Sequence, residues 1–100
     1  MGYDIFAASI EHQSELEAEL KSLSLHCTLK CCDIDINVFE YCAGICIHDV
    51  AHIDISPEMV KDYAIHCKHI MDENVEIEDI HKIYVYLTTC VKYDCYLIVI

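Results

Sequence analysis

The sequence predicts an α+β domain, with two to four helices packed on a short sheet that contains both ends of the chain. Three observations predict it. Stretches near 56–72 and 75–91 place apolar residues at helical spacing. The two ends, Tyr3 to Ala7 and Tyr96 to Ile100, are short apolar and aromatic runs that read as strands. The chain is 55% hydrophobic yet has one Pro and two Gly, so residues 1–100 contain no linker and form one acidic domain.

The elements follow in order. Tyr3 to Ala7 is the first strand. Ser9 or Ser14 can cap a first helix, and Ser14 to Glu17 has the Ser-x-x-Glu spacing of a capping box. Leu16, Leu20 and Leu23 then repeat at helical intervals, with Glu11, Glu15 and Glu19 on another face. From 24 to 38 the period changes to two. Leu25, Cys27, Leu29 and Cys31 alternate with polar residues, and Ile34, Ile36 and Val38 alternate with Asp33, Asp35 and Asn37, which reads as half-buried strand. Residues 38–48 are ambiguous. A short helix capped by Asn37 and carrying Phe39, Cys42 and Cys46 is favoured over a hairpin turning at Ala43-Gly44.

Ser56-Pro57-Glu58 is the clearest boundary. Ser caps, Pro suits the first helical position, and Glu meets the positive end of the helix dipole. Val60, Ala64, Cys67 and Met71 form the buried stripe. Asn74 is placed as the cap of a last helix whose inner face is Ile80, Ile83, Tyr84, Leu87 and Val91. The terminal run "YLIVI" would aggregate if exposed, so it belongs in a sheet beside the first strand.

Charge narrows the function. The net charge is −12, from 18 acids against 6 bases, and all six bases are Lys. A small domain needs a net charge of only about 2–8 for solubility. Without Arg, the usual bidentate phosphate reader, direct binding to nucleic acid is not expected. Binding to an anionic membrane is disfavoured for the same reason. No signal peptide is recognised, and no apolar run approaches the ~20 residues of a membrane span. The cytoplasm is the expected location. The eight Cys read mainly as reduced core thiols rather than disulfides or metal ligands.

Five of the eight residues from Asp72 to Asp79 are acids. Glu76, Glu78 and Asp79 are explained if they fall in the first turn of the last helix, where acids stabilise by roughly 0.3–1 kcal/mol each. Glu78 and Lys82 are then spaced for an ion pair. Asp72 and Glu73 are not explained, because they close the preceding helix where the dipole disfavours acids. The candidate partner surface is therefore Asp72, Glu73, Glu76, Glu78 and Asp79, joined by Glu11, Glu15 and Glu19. A solvated face is the competing reading.

Other constellations are weaker. Asp62, His66, His69 and Glu73 lie within about 40° of one line on the Ser56 helix, a spacing that can bind a transition metal. Polar residues must occupy that face in any case. Cys42, Cys46, His48 and His52 bring four ligand-type residues into one short stretch but match no zinc knuckle. His26-Cys27 and His66-Cys67 are neighbours in sequence, which does not make a dyad. The vicinal Cys31-Cys32 pair has a redox reading. There is no phosphate-binding Gly loop or nucleophile elbow. The expectation is no enzyme, no cofactor and no metal required for the fold.

In size, acidity, compactness and lack of motifs the chain resembles small phage-encoded inhibitors of host nucleic-acid enzymes. These include anti-restriction and anti-CRISPR proteins, several of which act as DNA mimics. The resemblance covers the whole chain as composition and size, and it carries no residue roles. The opening "MGYDIFA" also resembles openings of phage proteins. The resemblance implies a non-enzymatic inhibitor that acts in the host cytoplasm by filling the basic groove of a nucleic-acid-handling protein. Two other readings stay open: a metal- or thiol-dependent small regulator, and an acidic assembly or adaptor protein. Self-association as a homodimer is also open.

Overall fold

A computed structural model describes residues 3–30, 32–73 and 76–100. The described elements are β1 (Ile5–Ala8), α1 (Gln13–Ser22), β2 (Thr28–Leu29), α2 (Ile36–Ala43), α3 (Ile47–Val50), β3 (Asp54–Ile55), α4 (Pro57–Asp72), α5 (Ile80–Lys92) and β4 (Tyr96–Val99). The class is α+β, as the sequence predicts. The single turn of α3 takes the helices to five rather than two to four.

The four strands form one antiparallel sheet in the order β2-β1-β4-β3. The two chain ends pair directly at its centre, with Ile5 opposite Val99 and Ala7 opposite Leu97. Because side chains alternate along a strand, this register puts Ile5, Ala7, Leu97 and Val99 on one face. All four are buried there, with Leu29 and Ile55 from the outer strands. The outer strands have only two residues each, which leaves little open edge for pairing with other chains.

The helices cover the buried face. Ser56 caps α4 by accepting from Met59 N at 3.3 Å, and Pro57 starts the helix. Val60, Ala64 and Cys67 are buried as expected, while Met71 is half-buried and Tyr63 and Ile70 are also inside. On α5, Ile80, Ile83 and Leu87 are buried with Tyr86 and Cys90, while Tyr84 and Val91 lie at the margin.

Three expectations are corrected. Residues 34–38 are not strand. Asp35 Oδ1 accepts from Asn37 N at 2.8 Å and starts α2, so the cap lies two residues before Asn37. Phe39, Cys42 and Ala43 then bury at helical spacing. The preference for a short helix holds, but α2 ends at Gly44, and Cys46 lies beyond it as the exposed cap of α3. Gly44 has φ +76°, and a Cβ there would sit 2.9 Å from the His66 ring. Second, Ser14 lies inside α1, so the capping box does not form, and Leu23 is exposed. Ser9 organises this entry instead, accepting from His12 N at 3.1 Å and donating to Tyr93 O at 2.8 Å. Third, the last helix begins at Ile80, later than the expected 75, and Asn74 lies outside the described residues.

Two buried phenols give opposite expectations. Tyr86 OH donates to Cys27 O at 2.7 Å, tying α5 to the segment before β2. Tyr86→Phe should cost about 1–2 kcal/mol, the scale of one buried hydrogen bond. Tyr63 is 6% exposed and its hydroxyl has no partner among the described residues. Tyr63→Phe should be neutral or stabilising, because an unpaired buried hydroxyl costs about 1–3 kcal/mol. Thermal melts of the two variants check this, and an equal loss in both would contradict it.

Candidate functional site: an acidic recess beside the start of the last helix

The acids of the 72–79 stretch fall into two groups. Asp72 ends α4 and is 3.0 Å from Lys68, so a lysine one turn back offsets part of its unfavourable place. Glu73 is the C-cap residue, its N–H donating to His69 O at 3.1 Å and its side chain exposed and without a bonded partner among the described residues. Glu76 and Glu78 are likewise exposed and without described partners.

Glu76, Glu78 and Asp79 precede α5 rather than occupying its first turn. Ile77 packs against the core and Ile80 N donates to Ile77 O at 3.4 Å, so the chain turns here before the helix starts. Asp79 occupies the N-cap position with φ +67°, and its side chain caps nothing. Asp is among the few non-glycine residues that tolerate the left-handed region, which Ser24, His52 and Asp94 also adopt here. The expected Glu78–Lys82 pair is replaced by a long contact of 3.9 Å between Lys82 and Asp79. Lys82 also reaches Asp33 O at 3.5 Å.

That last contact locates the site. Asp33 and Asp35 come from the turn before α2, more than forty residues away in sequence. The structure brings them to Glu78 and Asp79 around an open recess of about 690 Å³, lined also by Cys32, Ile34 and Ile36. Asp33 Oδ2 accepts from Lys30 N at 3.0 Å, and Asp35 caps α2, so both also serve the local fold. Sequence reading assigned these two acids to the solvent side of a strand. The signal that could have shown otherwise is the Asp35-x-Asn37 capping pattern ahead of a helical Phe39-Cys42-Ala43 stripe.

The other candidate acids separate from this group. Glu11 lies in the turn before α1, so it does not share a helical face with Glu15 and Glu19. Glu15 meets His12 Nδ1 at 2.6 Å. Glu19 accepts from Lys92 Nζ at 2.6 Å and from Tyr93 OH at 2.7 Å, joining α1 to the end of α5. The hydrogen bond from Lys92, then that from Tyr93, holds the Glu19 carboxyl below its ordinary value of 4.5. A lowered folded-state value means that the pair stabilises above pH 4.5, and this contribution is lost as pH falls through the lowered value. Glu19→Gln should therefore flatten the acid limb of the stability curve. Parallel acid-to-neutral melts check it, and an unchanged limb would contradict it.

Among the described residues, no three His, Cys, Asp or Glu side chains converge closely enough to hold a metal ion. His66 turns inward, donating from Nδ1 to Cys42 O at 2.9 Å, while Asp62, His69 and Glu73 stay exposed. His48 is hydrogen-bonded to Tyr3 OH at 2.9 Å, Cys42 is buried, and Cys46 and His52 face solvent. Neither sequence constellation is assembled.

The thiols divide by burial. Seven described Cys are free, with Cys42, Cys67, Cys90 and Cys95 buried, Cys27 half-buried, and Cys32 and Cys46 exposed; Cys31 lies outside the described residues. Burial pushes the Cys67 thiol up to about 12 and raises Cys42, while a hydrogen bond to Cys95, and then burial, holds Cys90 protonated well above the ordinary range. The bond with Cys90 lowers the Cys95 thiol instead, so that one is protected by burial alone. Since the thiolate is the reactive form and must also be reached, iodoacetamide should label Cys32 and Cys46 in native protein and the four buried thiols only after denaturation. Peptide mapping reads each position separately. Fast native labelling of Cys67 or Cys90 would contradict the packing.

No known protein family, curated protein or solved structure matches the chain. Among the described residues no helix is long and apolar enough to cross a membrane.

Proposed function

We propose that the chain is a non-enzymatic acidic protein that occupies a basic groove of a nucleic-acid-handling protein and blocks it. The observation that carries this reading is the recess shared by Asp33, Asp35, Glu78 and Asp79, whose carboxylates gather without closing on a metal-sized point. Carboxylates spaced in this way suit several Lys or Arg side chains better than one cation. The exposed Glu73, Glu76 and Glu78 side chains, without bonded partners among the described residues, extend this surface.

Scale supports the same reading. Duplex DNA carries one negative charge per about 1.7 Å of axis. The longest dimension of the domain is 34 Å, close to one turn of duplex. A net charge of −12 over that length draws a basic partner in by long-range steering. Lys82 is the one base bonded beside the recess among the described residues, and it competes with a partner's cations. Lys82→Gln should therefore tighten binding.

The test is affinity capture from the native cell on immobilised protein, run beside a variant with Glu73, Glu76 and Glu78 reversed to Lys. The expected result is a basic protein that is retained by the unmodified chain, lost from the variant and eluted by salt. In excess, the chain should also displace nucleic acid from it. A captured partner that keeps its nucleic acid would argue for an adaptor role instead.

A further inference from the structure

A second surface has the opposite character. On α4, Lys61, Ile65, Lys68 and His69 follow each other at i, i+4, i+7 and i+8, so they share one face. On α5, Tyr84, Thr88 and Val91 do the same at i, i+4 and i+7. The two stripes enclose a groove of about 280 Å³ between the helices. Its lining is apolar: Ala64, Ile65, Val91, the ring of Tyr84, and Thr88, whose hydroxyl is bonded back to Tyr84 O at 2.9 Å. Ile65 is 52% exposed, so its apolar side chain is open to a ligand at this groove.

The rim is basic. Lys61, Lys68 and His69 border the groove, so two of the six lysines of a chain with net charge −12 stand at one small opening. Lys68 is engaged with Asp72 at 3.0 Å, whereas Lys61 has no acidic partner among the described residues. No residue of this groove lines the acidic recess. We propose that the α4–α5 groove binds a small amphipathic carboxylate, with one aromatic ring or a branched aliphatic group of similar size between the helices and its carboxylate at Lys61.

Three physical points fix that class. The volume lies just under the roughly 300–1,000 Å³ of sites for drug-sized ligands, so a single ring fills it. The lining offers mainly hydrophobic burial, and the Thr88 hydroxyl is already bonded within α5, so the ligand's charged end belongs at the lysine rim. An ammonium ligand would meet lysines there, and a neutral one would gain nothing from the exposed Lys61 charge. The groove is open and the whole domain repels anions, so the dissociation constant should be on the order of 1 mM for such a fragment.

The experiment is a heteronuclear NMR titration of the whole chain with 4-isopropylbenzoate, and in parallel with the matching alcohol and the matching amine. The carboxylate should give saturable shifts at the backbone amides of Lys61, Ile65, Tyr84 and Thr88. The alcohol and amine should bind at least about tenfold more weakly. Lys61→Glu, an exposed substitution, should weaken the carboxylate about tenfold and leave the alcohol unchanged. Equal binding of all three probes would reduce the groove to a hydrophobic patch and overturn the proposal. So would saturable shifts confined to another face, or no saturable shifts at millimolar carboxylate.

Discussion

Phe39→Ala is expected to destabilise the domain by about 3–5 kcal/mol, the range for removing a buried aromatic ring from a packed core. Phe39 is 1% exposed on α2, a helix packed on both α4 and α5. Removing the ring opens a cavity at the junction of three helices that cannot all shift to fill it. A domain of this size has a total stability of about 5–15 kcal/mol, so the variant should melt tens of degrees lower or fail to fold. Ile34→Ala and Val38→Ala bracket it. Ile34 is buried and Val38 half-buried, so Ile34→Ala should cost more. Equal costs at 34, 36 and 38 would be the mark of a strand with one inward face, and would contradict α2.

Reversing Glu73, Glu76 and Glu78 to Lys is expected to weaken binding to a basic partner by a hundredfold or more, about 2.8 kcal/mol at roughly 1.4 kcal/mol per tenfold. The estimate rests on two effects. Three attractive contacts are lost, and three like-charge juxtapositions replace them. The net charge falls only from −12 to −6 (six units for three reversals), so the general attraction of the chain survives while the local one is inverted. These three side chains are exposed and have no bonded partner among the described residues, so stability should stay within about 0.5 kcal/mol. Asp72 is left unchanged because its reversal would break the contact to Lys68. Asp35 is left because it caps α2, and Asp79 because of its backbone. Much of the lost affinity should appear in the association rate, and salt should erase much of the difference between variant and wild type, since charges are screened over about 8–10 Å near physiological ionic strength.

How much of this was legible in the sequence depends on how local each signal is. The Ser56-Pro57-Glu58 start of α4 is written in three adjacent residues and was read correctly. The pairing of the terminal strands was legible because an exposed "YLIVI" run has no other safe place. The 34–38 segment reads as strand because Ile34, Ile36 and Val38 alternate with polar residues, and the helix start is set by local bonds in which Asn37 N donates to Asp35 Oδ1 and Val38 N and Phe39 N donate to Asp35 O. The acidic stretch was legible as charge, and Asp72 and Glu73 do close α4. Its alliance with Asp33 and Asp35 was not, because only tertiary packing brings a turn before α2 beside the start of α5. Glu19 looked like a free surface acid for the same reason, since its partners Lys92 and Tyr93 lie more than seventy residues away.

The proposed surface for a basic partner can be tested without knowing the partner. Octa-arginine peptide is titrated into isotopically labelled chain, and backbone amide shifts are followed at low and at physiological salt. The account predicts saturable shifts concentrated at Asp33, Asp35, Glu76, Glu78 and Asp79, strongly weakened by salt and abolished in the Glu73, Glu76, Glu78 reversal. Shifts spread evenly over all exposed acids, or unchanged by that reversal, would show that the recess is an ordinary solvated face and would contradict the account.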